Sequence, residues 1–239
     1  MAKRPVFLAT EGSGNLNGDS TRSLVREVQV SFKWVAGLSA AQKRKNVASL
    51  HEAAREHEKI PKVLEISTKS GEPLGVKLSA FNLLVEVKDH QQMPLERAFQ
   101  GSKVFTEGGP FRDLYEATSR EAKQDERLRT SGDLEGFNFE GFKFPLEPKT
   151  AFYDWLYAKT LAHRIDDLRQ LADYGAFSDI EFNPNKSINC QARSCAVVVS
   201  LFRLDALDEA VESIDAWLKT LRDFPKYVEV NNGQQTLDI

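Results

Sequence analysis

The 239-residue sequence is poor in the residues that staple or metallate a fold, with two cysteines and four histidines. Cys190 and Cys195 stand five apart in a stretch that reads as helix, so they point to different faces and are expected as free thiols. Free thiols favour a reducing, cytoplasmic setting. His51, His57, His90 and His163 show no HxH, HxxxH or His–Cys spacing, and no protein metal site is expected. There is no basic excess either. Lys and Arg number 32 against 35 Asp and Glu, and the net charge of -3 argues against a non-specific nucleic-acid coat protein. No apolar run approaches the ~20 residues that span a bilayer, so no membrane partner is expected. The start, Met1-Ala-Lys-Arg-Pro-Val-Phe-Leu-Ala, is basic and then briefly apolar. It meets charged residues rather than a small-residue cleavage site, and no secretory signal is read there. No internal repeat is visible.

What is present is ordinary globular composition: 41% hydrophobic, 28% charged and 10% aromatic. Residues 1–24 are read as a flexible N-terminal segment, because 11–23 are mostly Gly, Ser, Asn and Asp with no apolar face. Val25 to Trp34 alternates with period two, a strand covered on one side. Ala40 to Glu58 predicts a helix with Leu50 and Ala54 inward and His51 and His57 solvated, stopped by Pro61. Val63 to Thr68 is a second strand, and Val76 to Val87 a third apolar stretch. Pro94 fits the first turn of a helix running to about Thr106, ended by Gly108-Gly109-Pro110. Phe111 to Arg129 reads as one charged helix. Ser131 to Pro148 reads as an extended segment or hairpin pinned by Phe137, Phe139, Phe142 and Phe144. Thr150 to Tyr174 reads as the longest helix, and Asp179 to Phe182 as a short extended piece. Two closing helices span Asn189–Leu204 and Leu207–Leu221, with 222–239 as a tail. Trp34, Trp155 and Trp217 are expected as core or edge aromatics. Strands near the N-terminus followed by helices imply an α+β, predominantly helical single domain with a small sheet over 25–221.

Two segments could carry chemistry. Glu96, Gln100 and Lys103 fall on one predicted helix. Seven residues make nearly two turns, which puts Glu96 and Lys103 on one face ~10 Å apart with Gln100 between them. A carboxylate and an amine so arranged suit acid–base or nucleophilic work. The same two residues also sit where the helix dipole favours their charges, and spacing alone leaves both readings open. The second segment is a polar turn feeding the helix that begins with Asn189, Gln191 and Arg193. Its free N–H groups could receive a phosphate, or it could be a capped helix packed tightly through Ala192, Ser194 and Ala196.

Leu95-Glu-Arg-Ala-Phe-Gln-Gly-Ser-Lys-Val-Phe105 resembles the Glu-x-x-x-Gln-x-x-Lys-x-Phe core of the NADAR (YbiA-like) family, and Leu78-Ser-Ala-Phe-Asn82 stands where that family has a Ser-x-Phe phrase. With Val25–Trp34, Leu64–Ser70, Glu107–Tyr115, Phe152–Tyr157 and Asp179–Ala196, the sequence resembles the branch found beside DarT-type ADP-ribosyltransferase toxins, over roughly residues 25–205. The resemblance implies a YbiA-like fold and an N-glycosidic hydrolase that removes ADP-ribose from guanine in DNA, or in RNA, as antitoxin to a DarT-type toxin, without a cofactor. A YbiA-like N-glycosidase of ribosylated metabolites, or a non-catalytic module that binds ADP-ribose or the toxin, are the other readings it leaves open. Carried over, Glu96 becomes the acid–base or oxocarbenium-stabilising carboxylate. Lys103 becomes a nucleophile for the anomeric carbon through a Schiff base, or a phosphate or sugar ligand. Phe81, Asn82, Gln100, Asn189, Gln191 and Arg193 become substrate contacts. The family's Trp-Gly near the last loop is replaced by Phe182-Asn183-Pro184, so Phe182 is the ring chosen to stack on the base. Asp179 or Glu181 would supply a second acid.

Overall fold

The computed structural model describes residues 1–10, 23–88, 91–185 and 187–224. The N-terminal residues are not all loop: β1 (Ala2–Ala9) pairs along its whole length with β2 (Val25–Phe32). The expected flexible segment is therefore corrected at its beginning, and its remainder, 11–22, lies outside the described residues. Pro5, Val6 and Phe7 are buried in succession, so β1 is covered on both faces and lacks the alternation that reveals a one-sided strand. Helix α1 (Ala40–His57) follows, opened by a Ser39/Gln42 capping box, with Leu50 and Ala54 fully buried as expected. The short strand β3 (Val63–Glu65) leads to α2 (Pro73–Lys77) and to the ribbon of β4 (Leu84–Glu86) and β5 (Gln92–Pro94).

Helix α3 (Leu95–Gly101) is shorter than expected, and Pro94 stands just before it. It stops at Gly101, where Tyr115 packs so closely that a Cβ would lie 2.6 Å from the ring. The chain then turns into β6 (Lys103–Phe105), which pairs with β7 (Leu134–Phe139), itself hairpinned to β8 (Phe142–Pro145). Lys103 thus lies on a strand, not on the helix that carries Glu96. The single charged helix expected over 111–129 is three pieces: a 3-10 turn at Arg112–Tyr115, α4 (Ser119–Gln124) and α5 (Arg127–Thr130). Thr118 and Glu121 form a capping box that restarts the chain as α4. The helix expected over 150–174 is likewise two, α6 (Ala151–Ala162) and α7 (Ile165–Leu171), so α1 is the longest. The extended piece near 179 falls at β9 (Ala176–Ser178), and Asp179 to Phe182 is a turn.

Helix α8 (Gln191–Arg203) buries ten of its residues, α9 (Leu207–Glu212) follows, and Ser213 caps α10 (Ile214–Asp223). The tail expected from 222 begins inside α10, and 225–239 lie outside the described residues.

The main sheet has the order β2-β1-β9-β3, antiparallel except for β3 beside β9. Helix α1 covers one face through Val6, Val30, Phe32, Leu50 and Ala176. The larger core surrounds α6 and α8, which are apolar on nearly every side and pack together as the centre of the domain. Trp155 and Trp217 are fully buried within it, and Trp34 is an edge ring on Phe32. The architecture is α+β, as expected. Its strands are spread along the chain because β9 and the β6–β8 sheet are formed late in sequence. Among the described residues no helix is long and apolar enough to cross a membrane.

Candidate active site

Helix α3 is fixed at its first turn. The Glu96 N–H donates to Ala80 O at 2.9 Å, and the loop carrying Ala80 is in turn held by Gln191, whose Oε1 accepts from Ala80 N at 2.7 Å. The Glu96 side chain is buried, yet its carboxylate has polar company: Gln100 Nε2 donates to Oε1 at 3.0 Å, and Lys123 Nζ of α4 lies 3.7 Å away. Lys103, half-buried, holds its ammonium 5.2 Å over the Phe99 ring, one turn along α3 from Glu96. Burial lowers the Lys103 pKa to about 8; the Glu96 carboxylate opposes that shift and the Lys123 ammonium adds to it. Glu96, Lys103 and Lys123 therefore share one electrostatic neighbourhood although they come from a helix, a strand and another helix. The arrangement supplies a carboxylate and an amine part of which is neutral near pH 8.

Phe81 stands at the edge of this group, 37% exposed, with Lys123 Nζ 5.7 Å over its ring. Asn82 is exposed and its amide donates to Val76 O. On the other side lies Asp179, buried, accepting from Gln191 Nε2 at 2.9 Å and from Glu181 N at 2.9 Å. Gln191 uses both ends of its amide inside the protein, bridging Asp179 to the Ala80 loop. Gln191→Ala leaves a buried carboxylate and a backbone N–H without these partners and is expected to cost about 1–3 kcal/mol of unfolding free energy by denaturant titration. Unchanged stability would show that the bridge is idle. Asn189 is half-buried beside the start of α8, its carbonyl accepting from Ser187 Oγ. Phe182 sets its ring edge-on to Phe7 at 6.4 Å and packs on the main core, and Glu181 is exposed and paired with Lys43.

Arg193 sits differently from the expectation of a substrate ligand at a helix start. It is buried and pairs with Asp154 of α6 at 2.5 Å, while Ser194 Oγ and Thr150 Oγ1 also donate to that carboxylate. Sequence reasoning also passed over Lys123, Tyr153, Asp154 and Glu65. Lys123 reaches Glu96 from 27 positions away, a distance no local spacing rule covers.

Behind Asp179, Glu65 is buried and accepts from Ser67 Oγ, Ser178 Oγ and Ile180 N at 2.6, 2.6 and 2.8 Å. Burial and then the Asp179 charge hold its carboxyl well above the usual range, and burial likewise raises Asp179. His51 was expected in solvent. Instead it turns inward, Nε2 2.8 Å from Ser178 Oγ, and burial, reinforced by Arg55, lowers its pKa to about 4. These shifts have opposite signs in stability. The raised Glu65 pKa means the native state holds a proton the unfolded chain releases, so its contribution is present in acid and lost as pH climbs past the ordinary carboxylate range. The lowered His51 pKa adds stability as pH rises from about 4 through the model-imidazole range, and above about pH 7 it contributes no further slope. Glu65→Gln is therefore expected to flatten the fall in unfolding free energy between about pH 7 and pH 8, where the Glu65 proton, held to about 8, is lost from the native state, a fall read from denaturant titrations at several pH values. Identical slopes in the two proteins would refute the assignment.

Among the described residues no group of three or more His, Cys, Asp or Glu side chains is placed to hold a metal ion. Both cysteines are buried free thiols.

Comparison with known families matches residues 2–230 to the DarT1-associated NADAR antitoxins. The chain belongs to that family. The match begins at β1 and runs beyond α10, so it takes in the strand that lies within the segment expected to be flexible. A comparison with curated proteins finds no match. In this NADAR protein the Glu-x-x-x-Gln-x-x-Lys phrase bends from α3 into β6, and the bend brings its lysine back over Phe99.

Proposed function

We propose that this NADAR antitoxin is a hydrolase that removes ADP-ribose from guanine bases in nucleic acid and so reverses the product of a DarT-type toxin. The observation that carries the reading is the Lys103 amine, its pKa lowered to about 8, in the electrostatic reach of the buried Glu96 carboxylate. Breaking a glycosidic C–N bond places positive charge on the pentose, which Glu96 stabilises without reorganising. The neutral Lys103 amine attacks the anomeric carbon, the C–N bond breaks, and its electron pair leaves with the guanine, which takes up a proton. Opening of the sugar ring yields an imine on Lys103. Water adds to that imine and returns the amine and free ADP-ribose.

Two ammonium groups, Lys103 and Lys123, against one carboxylate leave a local positive balance that suits the anionic diphosphate of the ligand. Phe81, more exposed than Phe182 and with the Lys123 ammonium over its ring, is the better-placed ring for the departing base. An unpaired or extruded base reaches such a site more readily than one in a duplex. The test is release of ADP-ribose from ADP-ribosylated single-stranded DNA, followed chromatographically with the wild-type protein and with Glu96→Gln and Lys103→Ala. Release by wild type and its loss in both variants is expected. Full activity in both variants would defeat the mechanism, and no release by wild type would defeat the reading.

A further inference from the structure

Buried tyrosine hydroxyls as a rule find a hydrogen-bond partner. Tyr115 meets Ser102 Oγ at 3.1 Å, and Tyr157, one turn after Tyr153 on α6, donates to Leu78 O and meets Cys195 Sγ. Tyr153 departs from this pattern. It is 5% exposed, and among the described residues its hydroxyl has no partner. The ring is fixed edge-on to Phe99, centroids 5.0 Å apart and planes at 89°, and the Lys103 ammonium lies over the same Phe99 ring. Tyr153 and Lys103 thus both contact the Phe99 ring of α3. The charges acting on the phenol include Glu96 and Asp179; with burial they hold its pKa well above the usual value, so it remains an O–H donor.

The chemistry around this hydroxyl selects its ligand. Glu96 and Asp179 can only accept hydrogen bonds when ionised, so groups between them must donate. A phosphate beside two carboxylates is disfavoured. A pentose diol donates to carboxylates and still offers oxygen lone pairs, and Tyr153 is the uncommitted O–H available to meet them. We propose that the Tyr153 hydroxyl is a further substrate contact, donating a hydrogen bond to a hydroxyl oxygen of the pentose held between Glu96 and Lys103. The inference rests on the hydrolase reading above and adds a sugar-reading residue to it.

The test is Tyr153→Phe in the full chain, which removes one oxygen and keeps the Phe99 contact. Three quantities are measured: the thermal midpoint, the rate of ADP-ribose release from ADP-ribosylated DNA, and ADP-ribose binding by calorimetry. An unchanged midpoint is expected, with release and binding each weakened roughly ten- to hundredfold. Wild-type release and binding in the variant would overturn the assignment. A lowered midpoint would overturn it too, since it would reveal a partner for the hydroxyl inside the protein. If wild-type protein neither releases nor binds ADP-ribose, the hydrolase reading itself fails and the Tyr153 assignment falls with it. An active, ADP-ribose-binding wild type beside an unaltered variant isolates the failure to Tyr153.

Discussion

Lys103→Ala is expected to lower ADP-ribose release roughly 10³-fold or more, the scale of losing a covalent nucleophile, while leaving the protein folded. The side chain is half-buried over Phe99 and makes no ion pair closer than the Glu96–Lys123 contact, so its removal leaves no buried charge stranded. The pH profile gives the sign. The reacting species is the free amine, and with a pKa of about 8 its fraction rises about tenfold per pH unit in the acid range and levels off above pH 8. Lys103→Arg keeps the charge and removes the titration, so it should be inactive across that range. Borohydride added during turnover should reduce the imine and leave ADP-ribose attached to Lys103, detectable by peptide mass. Inactive Lys103→Ala with no trapped adduct in wild type would place Lys103 as an anion ligand instead. A rate that is flat in pH would remove the amine from the chemistry altogether.

Arg193→Ala is the substitution expected to hurt the fold most. Arg193 and Asp154 are 9% and 1% exposed at their side chains, and they join α8 to α6, the two helices at the centre of the core. Breaking a buried pair from one side removes a close opposite charge from the partner that stays buried and typically costs about 3–5 kcal/mol. Denaturant titration reads that loss directly. The result also separates two roles for Arg193. A stable variant that has lost ADP-ribose binding would return it to the substrate, where the helix-start reading had put it. An unstable variant confirms that its guanidinium serves the core. Replacing both partners with apolar residues of similar volume should recover much of the stability, because no charge is then left alone.

Much of this protein was legible in its residues. The period-two pattern of Val25–Trp34, the Ala40–Glu58 helix with Leu50 and Ala54 inward, the Phe-rich hairpin and the apolar run of α8 each announce themselves in the local pattern of residues. Helix breaks were harder to read, although Thr118-x-x-Glu121 and Ser213 carry capping signals within helical composition. β1 escaped notice because it is covered on both faces and shows no alternation. The Glu96–Gln100–Lys103 row was visible as a spacing, but its geometry was not. An unbroken helix would have set the two charged groups about 10 Å apart along its axis. Helix α3 ends at Gly101, and pairing with the distant β7 holds Lys103 on a strand.

The residues by themselves determined the α+β class, the period of β2, α1 and α8 and the family phrase, because these depend on neighbours a few positions apart. Only the tertiary structure decided that Lys123 approaches Glu96, that Arg193 pairs with Asp154, that Gln191 ties Asp179 to the Ala80 loop, and that the Tyr153 hydroxyl, unlike those of Tyr115 and Tyr157, has no partner among the described residues. Each of those facts depends on burial and on contacts between distant segments, and desolvation, which lowers the Lys103 pKa and raises that of Glu65, exists only once the chain has closed around them.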